Sequence, residues 1–256
     1  MALSGVGTVT GLRSVFQLDG AVILDSERVF DYIKKSIEVP HQEKTGAPGF
    51  RAVAGEFRGR RVAIVQVPPY PQAAVEAASE LYLLGARRLV IVTRAYRLSR
   101  RLSQNAVLVA SAAISADAIT HKIVPPGTPL LASANMLSKT RSIVEVRFPD
   151  IEWYVGFTVT VDSPRLRYFF EEAEKYANLK GVVAVDSMIA PVYALQYEYT
   201  NLEAIALATI VRSYTKATTT IESSEEAAAK TIDREVRSAS LLVTVALEVL
   251  GYESKI

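Results

Sequence analysis

Short uninterrupted runs of Val, Ile, Leu and Ala dominate the apolar pattern of this chain. Several of these runs are typical of strands buried on both faces, because half-exposed strands alternate apolar and polar residues. The pattern therefore predicts a central sheet covered by helices. We predict strands at Ala21–Leu24, Val62–Val67, Leu89–Thr93, Ala106–Ile114, Trp153–Val161, Gly181–Val185 and Ala204–Val211.

Helices are predicted between these strands, where recognisable start and stop residues bound the segments. The C-terminal helix is the clearest, because Ser223 and Glu226 form a capping box and apolar residues then recur at steps of three and four. The predicted helices are Ser26–Ile37, Gln72–Leu84, Arg165–Tyr176 and the segment whose apolar face contains Ile232, Val236, Ala239, Val243, Ala246 and Leu250.

Loops are predicted at Val39–Gly49 and Val124–Pro129, and the chain has no internal repeat, low-complexity segment or linker. Alternating strands and helices indicate an α/β fold. We therefore expect a single domain over residues 1–256.

Composition limits the class of partner and compartment. The chain has 29 basic and 27 acidic residues, scattered among one another, and this balance argues against nucleic acid. The N-terminus does not resemble a signal peptide, and the longest apolar run, Leu241–Leu250, is too short to span a membrane. The absence of cysteine excludes disulfides and thiolate sites and fits a cytoplasmic protein. It also fits a heat-adapted source, since thermolabile residues are depleted there.

Common catalytic and cofactor motifs are missing. The chain has two histidines, far apart in sequence, and no G-x-S-x-G element for a nucleophilic serine. His41 with Glu43 is too small a set for zinc, so we expect a surface histidine and no metal. Gly5, Gly7 and Gly11 lack dinucleotide-loop spacing and do not follow a strand. We therefore expect no cofactor.

Six segments, in order, match patterns of one enzyme family. They are Ala21–Arg28 (G-D-P-x-R), Gly55–Val62 (G-x-x-x-G-x-x-V), Glu80–Arg87 (E-E-L-x-x-L-G-A-K), Ile119–Pro126 (T-S-H-x-Y-x-P-P), Gly156–Asp162 (G-x-x-x-S-x-D) and Val185–Leu195 (V-E-M-E-x-A-A-L-Y-A-L). The chain thus resembles the purine and uridine phosphorylases. This resemblance implies a mixed, partly barrel-like sheet surrounded by helices, and assembly into oligomers. It also implies phosphorolysis, in which phosphate attacks the anomeric carbon of a nucleoside.

The phosphate site that the resemblance implies is largely missing. Asp25 and Arg28 match G-D-P-x-R, but Leu24 replaces its glycine. The glycine-rich turn of the family is Pro68–Pro71 here, and proline has no N–H with which to build an anion-binding nest. Two further family arginines, one of them lent by a neighbouring subunit, fall on Ile91 and Pro48.

The implied ribose and base contacts also change. Met188 replaces the glutamate that holds the sugar hydroxyls, and Ser187 replaces the methionine beneath the sugar, while Asp186 keeps an acid at the first glutamate position. Ser213, preceded by Arg212, replaces the aspartate that serves as acid in the purine enzymes. Methionine and serine cannot take over these roles at neutral pH.

Arginines and tyrosines are gained near the same site. Thr93–Arg97 replaces a family loop of the form G-T-x-G-[SA] and brings Arg94, Tyr96 and Arg97, while Tyr70 lies in the proline turn. Arginine suits planar anions, although both arginines could equally lie on the solvent face of a loop. If the site is rebuilt, Arg28 and Arg94, with Arg97 as a third candidate, should converge beside Tyr70 or Tyr96, holding an anion or paired with Asp162 or Asp186. The candidate ligand-binding residues are Asp25, Arg28, Tyr70, Thr93, Arg94, Tyr96, Asp162, Ser187 and Met188.

Three functions remain open at this stage. The first is a non-catalytic or repurposed phosphorylase relative that binds a nucleoside, nucleotide or other anion, or that completes the site of an active paralogue in a hetero-oligomer. The second is an active, divergent nucleoside phosphorylase or hydrolase. The third is a small-molecule sensor. In each case the resemblance implies a homo-oligomer, either a dimer or a hexamer built from dimers.

Overall fold

Ten strands form one mixed sheet in the computed structural model, which describes residues 8–13, 17–99, 102–211 and 225–251. The strands are β1 Gly20–Leu24, β2 Glu38–Thr45, β3 Arg51–Phe57, β4 Arg60–Gln66, β5 Arg88–Arg97, β6 Val107–Ser115, β7 Leu130–Leu131, β8 Trp153–Thr160, β9 Val182–Asp186 and β10 Glu203–Val211.

Seven α-helices surround this sheet within the described residues. They are α1 Glu27–Ile33, α2 Pro71–Leu83, α3 Thr120–Ile123, α4 Ala134–Arg147, α5 Arg167–Glu174, α6 Ile189–Glu198 and α7 Glu225–Gly251. In the described part of the chain, none of the helices is long and apolar enough to cross a membrane.

Five of the strands close into a ring. The hydrogen-bonded order is β10-β6-β8-β9-β5-β1-β4-β3-β2, and β10 also pairs with β5. The β5–β10 pairing is parallel and runs from Arg88 opposite Glu203 to Tyr96 opposite Val211. The end of β5 additionally pairs with β9 in antiparallel orientation. The expected mixed, partly barrel-like α/β fold is therefore confirmed.

Both faces of the sheet are covered, as the continuous apolar runs predict. All five residues of β1 are buried. Ala21 and Ile23 belong to one core cluster, together with residues of α2 and α6. Val22 and Leu24 belong to a second cluster, together with residues of α1, α4 and α7. Alternate side chains of one strand thus enter opposite helical layers, so neither face needs polar residues.

The N-terminal residues 8–13 are fixed against α2 and the β2–β3 turn. Glu80 of α2 is 5% exposed, and its carboxylate accepts hydrogen bonds from the N–H groups of Val9 and Thr10, each at 2.9 Å, and from the Thr10 hydroxyl. The carbonyl of Val9 accepts from Ala47 N–H at 2.9 Å. A Cβ at the neighbouring Gly46 would lie 1.8 Å from the Val9 carbonyl oxygen. Only glycine fits this contact.

All seven predicted strands are present, but two predicted features are wrong, one loop and the end of one strand. The first is Val39–Gly49, where Glu38–Thr45 forms β2 at the edge of the sheet. Its polar sequence lacks the apolar run that marks the central strands. The second is the predicted strand end at Thr93, because β5 continues through Arg97, where β10 and β9 hydrogen-bond to it.

The predicted helices differ from the structure mainly at their ends. Ser26 caps α1 by accepting from Val29 N–H, but α1 stops at Ile33 and a 3-10 turn follows. α5 begins at Arg167, two residues later than predicted. The predicted capping residue of the last helix, Ser223, lies outside the described residues.

Candidate functional site

A cleft of about 300 Å³ opens where several strands end. Asp25 follows β1, the proline turn follows β4, and Ser187 follows β9, while the end of β5 contributes side chains directly. The connection between β8 and α5 forms another wall. The lining residues are Asp25, Pro69, Tyr70, Arg94, Tyr96, Ser163, Pro164, Arg165 and Ser187.

The proline turn supplies a wall without backbone donors. Pro68 and Pro69 have no N–H, and the N–H of Tyr70 donates to the Pro68 carbonyl at 2.8 Å. Pro71 then begins α2, where the fixed φ of proline suits the first helical position. The side chain of Tyr70 is 55% exposed and faces the cleft. Residues 68–70 therefore offer the cleft an aromatic ring and no anion-binding nest.

Arg94 lies on β5 and pairs with the carboxylate that follows β1. Its Nε atom is 3.5 Å from Asp25 Oδ2, and the same Oδ2 accepts a hydrogen bond from the Thr93 hydroxyl at 3.0 Å. Nε is shielded from solvent and has no hydrogen-bond partner among the described residues. The Asp25 side chain is 6% exposed and that of Arg94 30%. A nearly buried carboxylate thus holds a guanidinium that is still open to the cleft.

Arg165 is a lining residue that sequence reasoning missed. It lies between β8 and α5, beside Ser163 and Pro164, and its side chain is exposed. The sequence predicts a helix from Arg165 and names Asp162 as a candidate, but the position of residues 162–165 directly after a buried strand is also a signal for a strand-end site. With Arg94, Arg165 and Asp25, the described lining has two positive charges and one negative charge.

Of the residues after β9, only Ser187 lines the cleft. Asp186 is fully buried, and its Oδ1 accepts the N–H groups of Met188 at 2.7 Å and Ile189 at 2.8 Å, at the start of α6. The Thr160 hydroxyl donates to the same carboxylate at 3.0 Å. Burial raises the pKa of Asp186 to about 6. Asp186 therefore fixes the α6 start, while the side chain of Met188 is fully buried in the core.

Three other candidate residues lie away from the cleft lining. Arg28 is exposed on α1. Asp162 accepts the N–H of Ala118 at 3.2 Å, and Arg97 donates to the Leu102 carbonyl at 3.2 Å. The expected group of Arg28, Arg94 and Arg97 is therefore not assembled.

The pairing within the cleft also differs from the expectation. The acidic partner of Arg94 is Asp25, and neither Asp162 nor Asp186 takes this place. Arg212 and Ser213, the residues at the family's acid position, lie outside the described residues.

A second, smaller cleft of about 250 Å³ lies beside α3. Ser115 donates to the Asp117 carboxylate at 2.9 Å and lies 3.5 Å from His121 Nε2. Asp117 also accepts two backbone N–H groups and the Thr120 hydroxyl, so its oxygens are occupied. No group of three or more His, Asp or Glu able to hold a metal occurs in the described ranges. This arrangement lacks the base-orienting contact of a catalytic triad.

Comparison with known families decides the ancestry. The family model described as the phosphorylase superfamily matches residues 20–247. The chain belongs to the phosphorylase superfamily. No curated protein matches the sequence. As a superfamily member, it keeps the fold while its sequence has diverged strongly.

Solved structures of this superfamily have the same fold. Purine nucleoside phosphorylase from Toxoplasma gondii, in complex with immucillin-H, has a TM-score of 0.80 at 17% identity, covering 98% of this chain and 97% of that chain. Uridine phosphorylase from Vibrio fischeri ES114, complexed with 6-hydroxy-1-naphthoic acid, has a TM-score of 0.79 at 15% identity, covering 93% of both chains. The resemblance seen in the sequence is thereby confirmed at the level of family and fold.

Two positions that the sequence resemblance assigns to phosphate binding are core positions in this superfamily member. Ile91, where the family pattern has an arginine, is fully buried in the core cluster that contains α2 and α6. Leu24, where the pattern has a glycine, is buried against α1 and α7. Neither residue lines the cleft.

Proposed function

We propose that this chain is a phosphorylase-superfamily protein that binds a small aromatic anion and does not carry out ordinary phosphorolysis. The observation that carries the proposal is the Arg94–Asp25 pair at 3.5 Å, in a cleft with Arg165 and two tyrosines. An aromatic acid, such as an aromatic carboxylate, has the required chemistry. The proposed function of the chain is therefore that of a repurposed binding protein rather than that of a nucleoside phosphorylase.

The cleft favours an anion because it presents guanidinium groups that are not saturated by partners. Arg94 Nε is shielded and lacks a hydrogen-bond acceptor within the described residues, and a buried donor without an acceptor is unfavourable. Because Nε itself is shielded from solvent, a ligand oxygen would contact the exposed part of the guanidinium, on a side chain that is 30% exposed. Arg165, on the connection between β8 and α5, can contact the same anionic group of the ligand, since arginine binds carboxylates and phosphates in a bidentate manner.

The cleft favours an aromatic ligand because both tyrosines line it. Tyr70 is more than half exposed and Tyr96 is partly exposed, so each ring can accept a flat ligand without first leaving the core. Stacked aromatic pairs contribute about 0.5–1.5 kcal/mol beyond buried area. The Vibrio uridine phosphorylase structure contains 6-hydroxy-1-naphthoic acid, an aromatic acid, which makes that compound a sensible first probe here.

Ordinary phosphorolysis requires groups that the described cleft does not offer. The proline turn has no N–H donors for phosphate, and Met188 is in the core rather than beside a sugar. Removing a single preorganised donor commonly costs about 10²–10³ in rate. Losing the amide nest, an arginine and the ribose acid together should therefore abolish turnover of this kind.

The binding proposal is tested by calorimetry with 6-hydroxy-1-naphthoic acid. Arg165→Gln should weaken binding by about 10- to 100-fold, the value of a charge-assisted hydrogen bond of about 1.5–3 kcal/mol. Arg94→Gln should weaken it at least as much. Arg97→Gln is the matched control, because Arg97 shares β5 but donates to the Leu102 carbonyl outside the lining. Equal affinity in the wild type, Arg94→Gln and Arg165→Gln would contradict the proposal.

A further inference from the structure

Asp25 is the only acid among the described residues that line the cleft, and it lies against the arginine that should bind the ligand. Its Oδ2 atom accepts the Thr93 hydroxyl at 3.0 Å and lies 3.5 Å from Arg94 Nε. The side chain is 6% exposed, so water screens its charge poorly. A ligand anion on Arg94 therefore experiences a fixed negative charge directly behind the guanidinium.

We propose that Asp25 selects the charge of the ligand, so that the cleft accepts a singly charged aromatic anion, such as a carboxylate or a sulfate ester, and rejects a doubly charged phosphate ester. This inference rests on the proposed anion-binding function. It adds a specificity-determining residue and a ligand class to that function. The specificity comes from repulsion between the Asp25 carboxylate and the ligand anion, and such repulsion is a common source of specificity.

The selection follows from how two free-energy terms scale with ligand charge. Attraction to the cleft is proportional to the charge of the ligand, whereas the cost of removing the ligand from water rises with the square of that charge. Asp25 offsets one of the two arginine charges, which lowers the attraction. With a weakened attraction, the larger desolvation cost of the dianion is no longer recovered.

The test uses two probes of nearly the same shape and different charge. 1-Naphthyl sulfate has one negative charge, and 1-naphthyl phosphate has close to two at about pH 8, because its second pKa is about 6. We expect the wild-type protein to bind the sulfate ester at least about tenfold more tightly than the phosphate ester. This comparison needs no variant, so it is informative even if a variant does not fold.

Asp25→Asn is the decisive variant, because asparagine keeps an oxygen for the Thr93 hydroxyl and removes the charge. Removing the charge of Asp25 changes the electrostatic potential at the ligand by the same amount for both esters. The change in binding free energy is therefore twice as large for the doubly charged ester, and its fold-change in affinity is the square of that for the singly charged ester. We expect sulfate ester affinity to rise roughly tenfold and phosphate ester affinity roughly hundredfold. Thr93→Val is the matched control, because it removes the hydroxyl contact to Asp25 and leaves the charge. It should change both affinities by the same factor.

The outcomes separate this inference from the proposed function. If both esters bind but Asp25→Asn changes their affinities equally, the charge-selection inference is overturned and anion binding stands. A tighter wild-type complex with the phosphate ester than with the sulfate ester also overturns the selection. If neither ester binds to either protein, both proposals fail.

Discussion

Replacing Asp186 with asparagine should change how the stability of the protein depends on pH. The carboxylate of Asp186 is fully buried and caps α6 through Met188 and Ile189 N–H groups. Asparagine preserves an acceptor oxygen for these two donors and removes the buried charge. Because burial raises the folded-state pKa from 3.8 to about 6, the charged form is disfavoured in the native protein.

The sign and size of the effect follow from this pKa. The folded state holds its proton more tightly than the unfolded state, so the stability contribution is fully present below the unfolded pKa and is lost as pH rises through about 6. A shift of roughly two pKa units corresponds to about 3 kcal/mol. The Asp186→Asn variant should not lose this stability as the pH rises. Relative to wild type, the variant should therefore gain about 2–3 kcal/mol in free energy of unfolding between about pH 4 and pH 8.

Denaturant unfolding across this pH range, at one fixed protein concentration, measures the difference. Asp162→Asn is the matched control, because it makes the same change at a carboxylate that is partly exposed rather than fully buried. A free-energy difference between Asp186→Asn and wild type that does not change with pH would refute the reasoning. So would a difference that increasingly favours wild type as pH rises.

Three further outcomes are expected. The purified protein should not phosphorolyse inosine, adenosine or uridine in saturating phosphate, and turnover near that of an ordinary phosphorylase would contradict this. Gly46→Ala should destabilise the protein by several kcal/mol (about 3 or more), measured by chemical denaturation, because the added Cβ would lie 1.8 Å from the Val9 carbonyl oxygen. Gly59→Ala is its control, since nothing lies within 4 Å of that added Cβ and only the strain of its positive φ remains. Light scattering should give an oligomer, since apolar side chains such as Phe157 and Val146 are exposed, and a monomer of 27.9 kDa would argue against it.

Strand positions were predictable because burial on both faces imposes a continuous apolar run. β1 and β10 illustrate this, since all five residues of β1 and eight of the nine residues of β10 are buried. The edge strand β2 was not predictable in this way, because a polar edge strand has no such run. The end of β5 was also misassigned, since its pairing with β9 and β10 depends on ring closure, which no local pattern encodes.

Residues of the cleft could be predicted from the sequence only where they lie at the end of a recognisable strand. Tyr70, Arg94 and Tyr96 line it, and their proximity follows from the turn after β4 and the end of β5. Arg165 was missed because no local sequence pattern encodes the pairing of β8 with β9, which places the end of β8 at this cleft. The prediction that Met188 lies in the site rested on the family resemblance alone. Ser187 lines the cleft, whereas the next residue, Met188, is buried in the core.

The replaced phosphate positions explain why ordinary activity should not return with one substitution. Ile91 is fully buried among apolar residues, so Ile91→Arg would place a charge in the core without an anion or acid to pair with it. Leu24 likewise fills space against α1 and α7. Arg94, in contrast, keeps its guanidinium partly exposed and paired with Asp25. Both of these positions hold buried apolar side chains, so we expect anion recognition in this chain to come from side chains on the rim of the cleft.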